Sequence, residues 1–267
     1  MTLPVGWFSG FPNVAAHFEP MQKRPSFKKL LCTLLLLAIL YLLGTSSFAA
    51  SNPFDDAIAA YERGDYVQGM KLFRQLAAQG HQWAQRRLGL IYAEGRGVPQ
   101  DYQEAVKWYR LAAAQGNVLA QYSLGLAYEK GKGVPQDYQE AVRWFRLAAA
   151  QGYAPAQSSL GLAYEKGQGV PQDYQEAVKW YRLAAAQGNQ FGQINLGVMY
   201  TNGTGVRQDF VRAHMWFTLA AAALSGDSGD TATKNRDGIA SKMTAEQIAT
   251  AQEIVRRCQE SKLKNCD

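Results

Sequence analysis

Residues 124–152 read LGLAYEKGKGVPQDYQEAVRWFRLAAAQG, and residues 160–188 repeat them with three changes: Lys132 becomes Gln168, Arg143 becomes Lys179 and Phe145 becomes Tyr181. The step of 36 residues runs well beyond this pair. Asp65, Asp101, Asp137, Asp173 and Asp209 keep it, each followed by an aromatic residue. So do Gly80, Gly116, Gly152 and Gly188, and the Leu-Gly pairs ending in Gly89, Gly125, Gly161 and Gly197. Self-similarity at this period is the mark of a repeat array, in which one unit cannot bury its own apolar face and must stack on the next.

Each unit reads as two helices. In the second, Tyr102, Ala105, Val106, Tyr109, Ala112 and Ala113 recur at steps of three and four, the stripe of a helix with one buried face. Asp101 with Glu104 three residues on predicts a capping box at its start, repeated as Asp137 with Glu140 and Asp173 with Glu176. Gly116 stands where a helix ends on a left-handed residue. The first helix spans about Val118–Glu129, buries Ala120, Leu124, Ala127 and Tyr128, and stops at Gly131. Its internal glycine, Gly125 and its equivalents, costs roughly 1 kcal/mol against alanine. Its recurrence predicts a Tyr or Trp ring of the paired helix laid over the missing side chain. Nothing in the repeats alternates like a strand. The expected fold is all-α, a right-handed α-α superhelix (solenoid) of stacked helix-turn-helix units.

The stretch LGLAYEKGKGVPQDYQEAVRWFRLAAAQG resembles the Sel-1-like repeat, a relative of the tetratricopeptide repeat. Spacing, the LG pair, the G-x-G-V-x-Q-D loop and the A-A-A-x-G ending agree over about Ala57–Cys266. The resemblance implies a solenoid that serves as a scaffold or adaptor for protein assemblies and implies no single activity. Residues 50–80, with the short loop YERGDY, read as a capping tetratricopeptide-like pair, and residues 81–224 as the 36-residue repeats. In the fifth unit Arg212 replaces the box glutamate. Residues 225–267 are divergent C-terminal helices, where the pattern loosens after Ser225 and resumes at MTAEQIATAQEIVRRC, capped by Thr244 with Gln247.

The start of the chain has another character. Lys23, Arg24, Lys28 and Lys29 precede an apolar run, Leu30–Leu43, and then GTSSFAAS, which together read as a secretory signal peptide cleaved after Ala49. The run is shorter than the roughly 18–20 residues of a spanning helix. Residues 1–49 are thus expected to be a leader, with translation starting at Met21 and the mature chain exported to the periplasm or secreted. Cys32 falls inside that leader. The remaining Cys258 and Cys266 suit one disulfide in an oxidising compartment, with two idle thiols as the alternative. The net charge is +6, but four of the 28 basic residues and one of the 22 acidic ones precede residue 50, leaving +3 for the rest. That mild excess, without a dense basic stripe, gives no indication of nucleic acid as a partner. A membrane is a partner only if the leader stays uncleaved, and the oligomeric state is left open.

Candidate chemistry is sparse. GDSG at 226–229 matches the nucleophile loop of chymotrypsin-like proteases, yet it sits in an expected helix-helix linker of an all-α chain, without a barrel to bring His and Asp into reach. Asp227, Asp230 and Asp237 in that linker do not have EF-hand spacing. The G-x-G loops at Gly95, Gly131, Gly167 and Gly203 follow helices rather than strands and are read as turns, not phosphate cradles. His81 and His214 are isolated, and no metal or other cofactor is expected. Some cysteine-rich relatives have been credited with penicillin binding or β-lactamase activity. They carry a cysteine pair in each repeat, which this chain lacks, so that activity is not carried over.

What remains is a surface. The units differ from one another chiefly at the start of the first helix. His81, Trp83, Arg86, Arg87, Tyr122, Ser123, Tyr153, Ser158, Ser159, Phe191, Ile194 and Asn195 stand there. The resemblance places first helices on the concave face, so these side chains are expected either to line a protein- or peptide-binding groove or to be unconstrained solvent positions. Gln85, Gln121, Gln157 and Gln193 recur nearby, to bond a peptide backbone or the neighbouring repeat. The expected function is a non-enzymatic, exported interaction scaffold. The alternative is a cell-envelope enzyme, or its regulator, related to peptidoglycan or β-lactams.

Overall fold

The computed structural model describes residues 52–223, 227–263 and 266; the expected leader and its cleavage site lie outside these. Among the described residues there are twelve helices and no strand. They are α1 (Pro53–Glu62), α2 (Tyr66–Ala78), α3 (Gln82–Glu94), α4 (Tyr102–Ala114), α5 (Val118–Lys130) and α6 (Tyr138–Ala150). There follow α7 (Ala154–Lys166), α8 (Tyr174–Ala185), α9 (Gln190–Asn202), α10 (Phe210–Ala223), α11 (Asp227–Ala240) and α12 (Ala245–Glu260). From α1 to α11 each helix packs on the next, and the array is an all-α solenoid. Its core is a chain of apolar clusters along the stack rather than one central mass.

Local signals fix the helix ends, with one correction. Asp101 caps α4 by accepting the Glu104 N–H at 2.9 Å, and Asp137 and Asp173 do the same for α6 and α8. The expected reciprocal half of the box does not form. The Asp101 N–H donates instead to the Tyr92 carbonyl of α3 at 2.9 Å, and Asp137 and Asp173 donate to Tyr128 and Tyr164. With that donor engaged, Glu104 turns outward to Lys107, 2.8 Å away, Glu140 to Arg143 and Glu176 to Lys179. Thr244 and Gln247 do complete a box. At the other end of α4, Gly116 at φ +87° donates to Ala113 and Asn117 donates to Ala112, the paired bonds of a Schellman turn. Asn117 then caps α5 by accepting the Ala120 N–H.

The mid-helix glycines are contact points, as their recurrence predicts, although the ring is Tyr or Phe and never Trp. A Cβ on Gly89, Gly125, Gly161 or Gly197 would lie 2.5, 2.5, 2.5 or 2.7 Å from the ring of Tyr109, Phe145, Tyr181 or Phe217. Trp108, Trp144 and Trp180 pack instead on the cluster of the preceding unit. The G-x-G segments are turns. Gln136 donates to the Glu129 carbonyl and the Tyr138 hydroxyl across one of them, and a Cβ on Gly133 would fall 2.1 Å from the Tyr102 carbonyl. This close approach seats each turn on the previous unit.

The C-terminal region departs from expectation. Residues 227–240, read as linker, form α11, so Asp227, Asp230 and Asp237 are helical. α11 buries Ala232 and Ile239. α12 then leaves the stack and lies on α10 rather than pairing with α11. Leu219 of α10 is consequently 5% exposed, whereas its register equivalents Leu111, Leu147 and Leu183 are 50%, 44% and 50% exposed. Cys258 and Cys266 are joined in a disulfide that ties the residues after α12 back to it.

Candidate protein-binding face

The first helices α3, α5, α7 and α9 present the variable positions as rows with the 36-residue step. Trp83, Leu119, Pro155 and Phe191 form the first row, all at the second residue of their helix. Trp83 is 43% and Phe191 63% exposed, and Leu119 and Pro155 between them are half-buried. Arg86, Tyr122, Ser158 and Ile194 make the second row, and Arg87, Ser123, Ser159 and Asn195 the third. Sequence reading passed over Leu119 and Pro155. Adding 36 to the number of Trp83 would have found both.

The structure brings the middle of this set together. The Tyr122 ring lies 5.2 Å from Tyr153 and 5.7 Å from Phe145, centre to centre. Burial pushes the Tyr122 phenol up, against an opposing hydrogen bond from Ser159. Burial also draws the Arg86 guanidinium below its usual range, with Tyr109 and Tyr153 near enough to act in the other direction. Tyr109 and Tyr181 reach this region from the second helices. Burial raises Tyr109 to about 12, opposed by Arg86 and by a hydrogen bond from Ser123. Tyr181 is raised more strongly, by burial and then by Glu165, whose Oε2 accepts its hydroxyl at 2.6 Å, while Asn195 opposes. All these phenols are neutral at physiological pH.

The remaining expected residues lie apart from that cluster. His81 caps α3, its Nδ1 accepting the Ala84 N–H, and its ring stacks on Phe54 at 4.9 Å. Arg87 faces Glu62 at 3.8 Å and lies over the Tyr61 ring. Ser158 is buried, and Ile194 packs against the C-terminal core cluster. The glutamines tie neighbouring helices. Gln85, Gln121, Gln157 and Gln193 donate to carbonyls of the preceding helix, and Gln115, Gln151 and Gln187 donate to the first three of them, each at 2.7 Å. The ladder ends at Gln193, whose Oε1 is buried with no partner, because Ala223 stands in the next register place.

The arrangement offers apolar rings, hydroxyls and one half-buried cation, which is contact chemistry. Among the described residues no group of His, Cys, Asp and Glu could hold a metal ion, and no helix is long and apolar enough to cross a membrane.

The Sel1 repeat matches residues 59–81, 84–117, 118–153, 154–189 and 190–223. No curated protein matches by sequence. Among solved structures, a Sel1 repeat protein from Oxalobacter formigenes is 31% identical over 78% of this chain and 88% of its own, with a TM-score of 0.62. The protein c5321 of uropathogenic Escherichia coli, a protective antigen displaying an SLR fold, is 33% identical over 80% of this chain and 54% of its own, with a TM-score of 0.52.

Proposed function

We propose that this protein, which belongs to the Sel1 repeat family, is an exported scaffold that binds a protein or peptide along its first-helix face. Sel1 repeat proteins are commonly interaction scaffolds, and the observation that carries the reading here is the continuous row Trp83–Leu119–Pro155–Phe191 beside the Arg86–Tyr122–Tyr153 cluster. Half-exposed aromatics around a partly desolvated cation are the composition of binding hot spots. The second helices α4, α6 and α8, nearly identical to one another, are occupied with stacking. Export is supported by the basic, apolar and small-residue sequence of residues 23–50 and by the Cys258–Cys266 disulfide.

Co-purification of the native chain with its bound partner, repeated for Trp83→Ala with Tyr122→Ala, tests the reading. Loss of the partner from a variant with unchanged helical content is expected. A partner retained by that variant, or turnover of a β-lactam or muropeptide by the purified chain, overturns it. The mass of the mature protein tests export, with a chain starting at Ala50 expected.

A further inference from the structure

Between α3 and α5, over the buried face of α4, lies a recess of about 260 Å³. Leu90 and Leu126 form its apolar walls, Tyr109 lies in its floor, and Lys130 and Lys132 stand at its rim. The internal repeat supplies a control for it. Two units further on, Tyr181 occupies the register place of Tyr109, and Glu165 occupies that of Ala93. There the chain provides its own carboxylate, which accepts the Tyr181 hydroxyl at 2.6 Å. In the unit between, Glu129 holds the register place of Glu165 while Phe145, which has no hydroxyl to give, holds that of Tyr181.

At Tyr109 the acid is replaced by Ala93, which lines the recess without reaching into it. A second change runs in the same direction. In the register of Tyr181 the place of Lys130 is held by Asn202, and Lys132 is replaced by Gln168 one unit on and by Thr204 two units on. The Lys132 Nζ is held at this rim, 3.4 Å from the Tyr102 hydroxyl and 4.9 Å from the centre of that ring. Relative to its counterpart the recess has thus lost the Glu165 anion and gained the Lys130 and Lys132 cations while keeping the phenol, with Glu94 standing where the counterpart has Lys166. Arg86 and Glu94, the other charges acting on Tyr109, oppose each other.

We propose that this recess binds a carboxylate on a short apolar stem, which accepts the Tyr109 hydroxyl as Glu165 accepts that of Tyr181, with Lys130 and Lys132 balancing its charge. A glutamate side chain or the C-terminal residue of a bound peptide carries that chemistry. The inference deepens the scaffold reading by giving one subsite of the face a ligand class.

The test uses the full chain with ¹³C-labelled tyrosine, titrated with three probes while the Tyr109 ring signals are followed by NMR. The probes are N-acetyl-Ala-Leu, its C-terminal amide, and N-acetyl-Ala-Glu-amide. One or both free carboxylates should shift Tyr109, and which one does identifies the source; the neutral amide should not. Ala93→Glu, which rebuilds the internal acid, and Tyr109→Phe, which copies Phe145, should each weaken binding by about tenfold or more, the factor of a lost hydrogen bond to a charged group. Lys132→Gln, which copies Gln168, should weaken it several-fold. The proposal is overturned if neither carboxylate shifts Tyr109, if the neutral amide binds equally, or if a correctly folded Ala93→Glu chain binds as the parent does. Should the probes fail while partner capture still depends on Trp83 and Tyr122, the subsite falls and the scaffold reading stands.

Discussion

Replacing Gly161 by alanine should destabilise the protein, against the usual effect of that change in a helix. Alanine ordinarily gains about 1 kcal/mol over glycine at an internal helical position. Here its Cβ would sit 2.5 Å from Cδ1 and Cε1 of Tyr181, a ring with no exposure. Moving a fully packed ring costs about 1–3 kcal/mol. The displacement also draws the Tyr181 hydroxyl off Glu165, and a hydrogen bond to a charged group is worth about 1.5–3 kcal/mol. The balance is a net loss of about 1.5–5 kcal/mol. Gly125→Ala meets the Phe145 ring equally closely but breaks no hydroxyl bond, so it should cost about 1.5–3 kcal/mol less. Gly238 in α11 has open space at its Cβ, so alanine there should stabilise by about 0.5–1 kcal/mol. Urea unfolding followed by far-UV circular dichroism orders the three variants. A Gly161→Ala chain as stable as the parent, or one no worse than Gly125→Ala, refutes the packing argument.

Other perturbations act on the ends of the array. Ala223→Gln should raise stability by about 0.5–1.5 kcal/mol by giving the Gln193 Oε1 the donor its equivalents have; an unchanged urea midpoint counts against the ladder. Reducing Cys258–Cys266, whose sequence separation is 8, should cost about 2–3 kcal/mol. Amide exchange should then rise first in α12, and a uniform rise along the array would contradict this. Burial, with a smaller contribution from Arg236, holds the His214 imidazole below its ordinary value, while Asp237 opposes. As pH falls below about 6.5 the unfolded chain takes up a proton that the folded one does not, so stability should drop from pH 7 to 5.5. His214→Val, which copies Val106, Val142 and Val178, should flatten that pH dependence of the unfolding midpoint; an undiminished slope assigns it to other groups.

The repeat made most of the fold legible, because stacking demands the same residue at the same place each time. Asp101, Gly116, Gly125 and the glutamine ladder are each explained by one contact multiplied along the array. What stayed hidden depends on partners from another helix. Glu104 has the spacing of a capping box, but the N–H it would bond is occupied by the Tyr92 carbonyl, a tertiary contact. α11 escaped notice because DSGDTATKNRDGIA carries two glycines and a sparse apolar pattern, so its helix is imposed by packing on α10. The same limit applies to the binding face. Variation between units pointed to aromatic and basic residues, and so passed over Leu119 and Pro155, which are conspicuous only once Trp83 and Phe191 are seen in one row. Tyr109 was read only as part of the buried stripe, yet its polar end and that of Tyr181 belong to the face as well.

In the proposed scaffold, contact along the first helices, not a reactive group, engages the target. The most direct measurement of this is the affinity of the native partner for two paired double variants, Trp83→Ala with Phe191→Ala on the first helices, and Leu111→Ala with Leu183→Ala on the second. Both pairs remove exposed apolar side chains of similar burial. A loss of about tenfold or more, the factor of about 1.4 kcal/mol, is expected for the first pair, and parent-like binding for the second. Parent-like binding by the first pair together with loss by the second would contradict the proposal.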